Sequence, residues 1–263
     1  MPFRNRVVSV LVISVLCGCT SQGGTNREGR TPLNPGWERI RESAIDAAKD
    51  KQTWIPLLGS AVFAIDDLDE ETLEWATEHN PIFGNSDNAK DWSDGLADAA
   101  LVSWLSTGMA VPSGQTGPRP RRLVMQGLVI STTQSVTTEL KSTFNRRRPD
   151  RPSKRNSFPS SHTSGATVAA TLAARNMEYL GFSDANKNRW KRGFYGLAGL
   201  TGWARVEGNR HYPSDVLFGY ALGHFMGSFL NHAFVKPQSR RKVQFDATVF
   251  PDGGFVLHTQ IGL

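Results

Sequence analysis

Three short blocks in the middle of the chain carry residue types suited to gripping and attacking a phosphate. The first is Lys141 followed by Arg146-Arg147-Arg148-Pro149. Lys141 and Arg148 are seven positions apart, so on one continuous helix they share a face two turns apart. Pro149 ends such a helix near that point. Two cations so placed can hold a phosphate, the arginine bidentately. The plainer alternative is a solvated basic face, because Arg146, Arg147, Arg151, Lys154 and Arg155 add charge without pattern. The second block is Pro159-Ser160-Ser161-His162, which leads into a run of small residues. Ser160 or Ser161 reads as a helix N-cap, and a helix N-terminus offers free N–H groups to an oxyanion. A lone His162 in that first turn is as readily structural as catalytic. The third block runs from Arg205 through His211 to Asp215. Pro213 and Ser214 mark a helix start, leaving His211 just outside and Asp215 in the first turn. A carboxylate there can take the Nδ1 proton of His211 and leave Nε2 free to attack. A capping Asp beside an incidental His is the alternative.

The elements that must position these blocks are helices. From Trp37 the apolar residues Trp37, Ile40, Ala44 and Ala48 recur at helical spacing. Asp66-Asp67-Leu68-Asp69-Glu70-Glu71 reads as acid in the first turn of a following helix rather than as a cation site. Further helices fit residues 88–110, 120–145, 161–175, 187–205 and 214–233. Alternation at Val243, Phe245, Ala247 and Val249, then Pro251-Asp252-Gly253-Gly254, then Phe255, Leu257, Thr259 and Ile261, predicts a C-terminal β-hairpin. The fold class is therefore all-α, a single helical-bundle domain over residues 37–240 with a hairpin-like tail over 241–263.

A chain of 263 residues suits one domain plus tails. Hydrophobic residues make up 39% and mean hydropathy is −0.35, which fits a water-soluble core rather than a polytopic membrane protein. The two longest uncharged stretches, residues 99–118 and 216–235, carry too many polar residues for a span and read as buried helices. The N-terminus differs. Arg4 and Arg6 precede an apolar run over residues 7–16 and then Leu16-Cys17-Gly18-Cys19. That is the layout of a secretory signal over residues 1–18, and Cys19 directly after the cut resembles the acylated cysteine of bacterial lipoproteins. A plain signal peptide cut nearby is the alternative. Residues 19–36, rich in Gly, Ser, Thr, Asn and Pro, read as a tether. Both cysteines lie in this leader, so the mature domain is held by packing without a disulfide. Net charge falls from +6 to +4 without Arg4 and Arg6, and the excess concentrates around residues 146–155. No nucleic-acid partner is expected.

Taken together, Lys-x6-Arg-Pro, Pro-Ser-x-His and Arg-x5-His-x3-Asp in this order resemble the signature of the type 2 phosphatidic acid phosphatase superfamily. That family includes membrane lipid phosphatases, soluble bacterial class A acid phosphatases and vanadium haloperoxidases. The signature spans residues 141–215. Ser161 stands where the family usually has Gly, and Ala204 where it usually has Ser. The resemblance implies that Lys141, Arg148 and Arg205 hold the phosphate oxygens, with Ser160 and the N–H groups around Ser161 completing the cradle. It implies that His211 attacks phosphorus, oriented by Asp215, while His162 protonates the leaving oxygen and later activates water. Three side-chain cations then supply what Mg²⁺ supplies elsewhere, so neither metal nor cofactor is expected. The expected protein is a metal-independent phosphatase acting on a phosphorylated lipid or small phosphate ester. It is expected on the periplasmic side of a bacterial envelope, attached to the membrane, the outer one before the inner, through Cys19. A vanadate-dependent haloperoxidase and a non-catalytic anion- or lipid-binding lipoprotein are the alternatives.

Overall fold

The computed structural model describes residues 35–113, 118–236, 243–249 and 255–261. Among them the chain forms α1 (Trp37–Lys49), α2 (Lys51–Phe63), α3 (Leu68–His79), α4 (Ser86–Ala110), α5 (Arg119–Phe144), α6 (Ser161–Met177), α7 (Asp184–Glu207) and α8 (Pro213–Leu230). A single π turn, Asn231–Val235, continues α8. Two strands, β1 (Val243–Val249) and β2 (Phe255–Ile261), pair antiparallel with Val243 opposite Ile261 and Val249 opposite Phe255. The all-α class stands, with the hairpin strands as a small addition. The expected signal, Cys19 and nearly all of the tether lie outside the described residues, as does the 250–254 turn.

Helix α6 is the axis of the bundle, packed by α4, α5, α7 and α8. Its small side chains allow this. Ala166, Ala169, Ala170, Ala173 and Ala174 are buried with Ala100 of α4 and Phe194 and Ala198 of α7. Val168 and Leu172 meet Val129 of α5 and Met226 and Leu230 of α8. Along α8, Gly219, Gly223 and Gly227 recur every four residues and so line one face. A Cβ at Gly219 would lie 2.8 Å from the Ser160 carbonyl, and one at Gly223 2.5 Å from the Ser164 carbonyl. The absence of side chains thus lets the α8 backbone lie directly on the first turns of α6. Ser160 N–H completes the join by donating to Asp215 O at 3.0 Å. This contact sets two of the three chemical blocks side by side.

Two expectations are corrected. Helix α5 ends at Phe144, where Asn145 turns left-handed with φ 49°, a conformation asparagine tolerates at a helix C-terminus. Lys141 therefore sits on the last turn of α5 while Arg148 lies in the loop beyond, and they do not share a helix face. The N-terminal helix forms as expected from Trp37, but its buried positions are Ser43 and Ala47, while Trp37 is 71% exposed. Close packing on α8 favours small residues over the large apolar ones. The helix also breaks at Asp50, whose carboxylate caps α2 through Gln52 N. Among the described residues no helix is long and apolar enough to cross a membrane.

Candidate active site

Tyr212 precedes α8, Pro213 opens it, and Asp215 in its first turn accepts the Tyr212 N–H at 3.0 Å. This local cap points the carboxylate back toward His211. Asp215 Oδ2 lies 3.5 Å from His211 Nδ1 and also accepts the Ser157 hydroxyl at 2.5 Å. His211 is 1% exposed. Burial pushes its pKa down to about 4; Asp215 opposes the drop, and Lys141 and Arg205 add to it. At neutral pH the imidazole is uncharged. Nδ1–H directed at Asp215 leaves the Nε2 lone pair available as a nucleophile. The contact is long for a hydrogen bond, as catalytic contacts often are before substrate arrives.

Behind this pair stands an ion network that the sequence did not reveal. Arg146, read above as a candidate for a solvated basic face, donates Nη1 to Asp215 Oδ1 at 2.8 Å and to Ser214 Oγ at 2.7 Å. Its Nη2 reaches Asp69 Oδ2 at 2.8 Å. Asp69 also accepts the Ser214 N–H at 2.8 Å and bonds the Ser214 hydroxyl. The acidic run does fall in the first turn of α3 as expected, yet Asp69 is 1% exposed and binds the site from behind. The guanidinium further lies 4.1 Å from the centre of the Tyr212 ring. Burial works against the Asp215 carboxylate, but His211, Arg146 and the Ser157 hydroxyl hold its pKa below the usual range. Asp215 is therefore an anion locked in one orientation.

Lys141, Arg148 and Arg205 come from three different segments and lie close enough for their charges to act on one another, and Lys141 and Arg205 also act on His211. Lys141 Nζ donates to Asn156 O at 2.7 Å, and Arg148 Nε to Asn156 Oδ1 at 2.7 Å. Arg148 N–H bonds Lys154 O, and Ser157 N–H bonds Arg146 O, folding the 145–160 loop back over the site. Burial lowers the Lys141 pKa to about 8, with Arg148 and Arg205 adding to the fall and Asp215 opposing it. Burial likewise lowers Arg205 to about 10, with Asp94 opposing it. Burial is the main cause for both, and Arg148 adds a smaller lowering to each, as a neighbouring like charge does. Arg205 is 5% exposed, and its Nε has no hydrogen-bond partner among the described residues. A buried donor left unpaired is costly.

Ser160 is the N-cap of α6, and its fully buried hydroxyl accepts from Thr163 N–H at 3.4 Å and Thr163 Oγ1 at 3.0 Å. Its side chain serves the helix start by taking one of the first-turn N–H groups. Ser161 is half-buried, and its carbonyl accepts Gln134 Nε2 at 3.2 Å. His162 stands at the mouth. Its Nε2 is 2.9 Å from Asp94 Oδ1, a residue of α4 outside all three blocks. Burial and Arg205 lower the His162 pKa, Asp94 opposes them, and Arg148 lowers it further. The structure thus gathers His211, Asp215, Lys141, Arg148, Arg205 and His162, and it adds Ser157, Arg146, Asp69 and Asp94.

A helical bundle that sets a carboxylate-braced histidine before a cationic cradle defines a PAP2-type protein. The chain belongs to the PAP2 superfamily, whose family model matches residues 99–238. Over 108 residues it is 35% identical to a lipid A 1-phosphatase of Porphyromonas gingivalis, a stretch covering 41% of this chain and 22% of that protein. The chain thus spans about a fifth of that relative's length. Its fold resembles the crystal structure of the first transmembrane PAP2 type phosphatidylglycerolphosphate phosphatase from Bacillus subtilis, with a TM-score of 0.54 and 20% identity. That likeness covers 72% of this chain and 94% of the solved one.

Proposed function

We propose that the protein is a phosphatase that works through a phosphohistidine on His211 without a metal ion. The observation that carries this reading is the neutral, buried His211 beside Asp215, with the cations Lys141 and Arg205 near enough to act on it. Lys141, Arg148 and Arg205 hold the non-bridging oxygens. His211 Nε2 attacks in line, forming the P–N bond as the P–O bond to the leaving group breaks. His162 gives its proton to the leaving oxygen. Water then attacks phosphorus, His162 takes the proton, and the P–N bond breaks to release phosphate. Electrostatic stabilisation of the equatorial oxygens, which dominates phosphoryl transfer, falls to the cations.

The substrate in this reading is a phosphorylated lipid or small phosphate ester met at the bacterial cell envelope. Membership of the PAP2 superfamily and the relative named for lipid A support it. The exposed cluster Arg151, Lys154 and Arg155 beside the cradle supports it further, because each cation near an anionic surface contributes about 1 kcal/mol at most. Lipid attachment through Cys19 on the periplasmic side would bring the domain to that surface. Purified protein assayed on lipid and water-soluble phosphates, with EDTA and with vanadate, tests the reading. Activity that survives EDTA and is blocked by vanadate is expected. Activity lost to EDTA and restored by Mg²⁺ or Zn²⁺ contradicts it.

A further inference from the structure

We propose that Asp94 is a specificity-determining residue that turns the leaving-group side of the site against anionic leaving groups, so that phosphomonoesters of uncharged alcohols are preferred over diphosphates. This inference rests on the phosphatase reading above and narrows its substrate class.

The geometry is specific. A single carboxylate oxygen, Asp94 Oδ1, lies 2.9 Å from His162 Nε2 and 3.6 Å from Arg205 Nη1. Its neighbour Ser93 is fully buried and accepts the same Arg205 Nη1 at 2.8 Å, which fixes the register of α4 against the cradle. Asp94 itself is 65% exposed on its side chain, so it stands at the rim and not in the core. In an in-line reaction the leaving oxygen lies opposite His211 and next to its proton donor, His162. The leaving group therefore departs past Asp94. Residues Asp87, Asp91 and Asp98 fall on the same face of α4 at helical spacing, and all are exposed. The exposed cations Arg151, Lys154 and Arg155 belong to the α5–α6 loop instead.

An alcohol leaves as a poor leaving group that needs a proton, and a carboxylate on His162 favours the protonated imidazole that supplies it. The leaving group of a diphosphate is itself a phosphate, already stable as an anion, and gains little from that proton. It must instead bring its charge within a few ångströms of Asp94. Solvent screens the repulsion at a rim position, which sets the expected effect at about fivefold.

The test uses hexyl phosphate and hexyl diphosphate, which share one alcohol, with wild type, Asp94→Asn and Asp94→Glu. Released inorganic phosphate gives kcat/KM for each. Wild type is expected to prefer the monophosphate, and Asp94→Asn to reduce that preference about fivefold, through both a lower kcat on the monophosphate and a lower KM on the diphosphate. Asp94→Glu should retain most of the preference. Because Asp94 is largely exposed, the melting temperature should stay near that of wild type, which separates the effect from misfolding. A wild-type preference for the diphosphate, or a ratio unmoved by Asp94→Asn, overturns the inference while leaving the phosphatase reading intact. A wild type that hydrolyses neither probe, nor any other phosphate ester, brings down both.

Discussion

Replacing Arg146 by glutamine strips two buried carboxylates of the cation they share. Asp69 and Asp215 are 1% and 0% exposed, and each loses a 2.8 Å bond to a guanidinium nitrogen. Ser214 Oγ loses its 2.7 Å donor as well. Breaking one partner of a buried pair costs about 3–5 kcal/mol because the remaining charge is uncompensated. The Arg146 side chain is itself 29% exposed, so water replaces part of the loss and the lower end, about 3 kcal/mol, is expected. Urea unfolding of Arg146→Gln against wild type measures it. Asp215 no longer locked should also lower kcat about 10- to 100-fold, by analogy with lost supporting contacts around a reactive centre. In the background of Arg146→Gln, Asp69→Asn removes one uncompensated charge, so the double variant should be more stable than the sum of the two single losses by more than about 1 kcal/mol. A loss under about 1 kcal/mol with normal kcat would refute the role assigned to Arg146, since that is the scale of an exposed pair.

The α6–α8 contact gives a second expectation: Gly223→Ala, whose Cβ would meet the Ser164 carbonyl at 2.5 Å, should destabilise by about 1–3 kcal/mol on urea titration. The pH profile follows from two depressed histidines. His211 stays neutral above about 4, and His162 loses its proton below its ordinary value. The log of kcat/KM should therefore bend near pH 4 and again below about 6.5, giving an acidic optimum; a rise continuing above pH 7 would contradict the assignment. A group whose folded pKa is depressed contributes stability that is present above its unfolded pKa and is lost as pH falls. His211 should thus make the fold about 2 kcal/mol less stable at pH 5 than at pH 7, read by urea unfolding at the two values. For the N-terminus, Cys19→Ser should abolish lipid attachment, and a mature wild-type mass without lipid on Cys19 would defeat that reading.

Much of the site was legible because its chemistry is local. Pro213 followed by Ser214 and an acid reads as the first turn of a helix, so His211 just before it and Asp215 just after could be placed from spacing alone. Ser160 as N-cap follows from the same rules, and the helix boundaries from Ser161 and Pro213 were near those observed. What stayed hidden depends on where distant segments meet. Arg146 and Arg148 are two residues apart in one loop, and nothing in their spacing says that one braces Asp215 while the other bonds Asn156. Asp69 lies 77 residues before Arg146 in sequence, so its first-turn position was visible and its partner was not. Asp94 sits on a helix with no motif at all. The Gly219, Gly223 and Gly227 repeat was a signal that could have been used: spacing of four on a helix that also carries Asp215 indicates a close approach of another backbone. The expectation that Lys141 and Arg148 share a helix face failed at Asn145, a residue at home in the left-handed conformation that ends a helix.

The most direct test of the account is to trap the intermediate. Rapidly quenched protein, mixed with a radiolabelled phosphate ester, should carry acid-labile, base-stable phosphate on the peptide containing His211. That label should build up further in His162→Ala, where water attack is slowed, and be absent from His211→Ala. Label on any other residue, or full turnover by a folded His211→Ala protein, would contradict the mechanism.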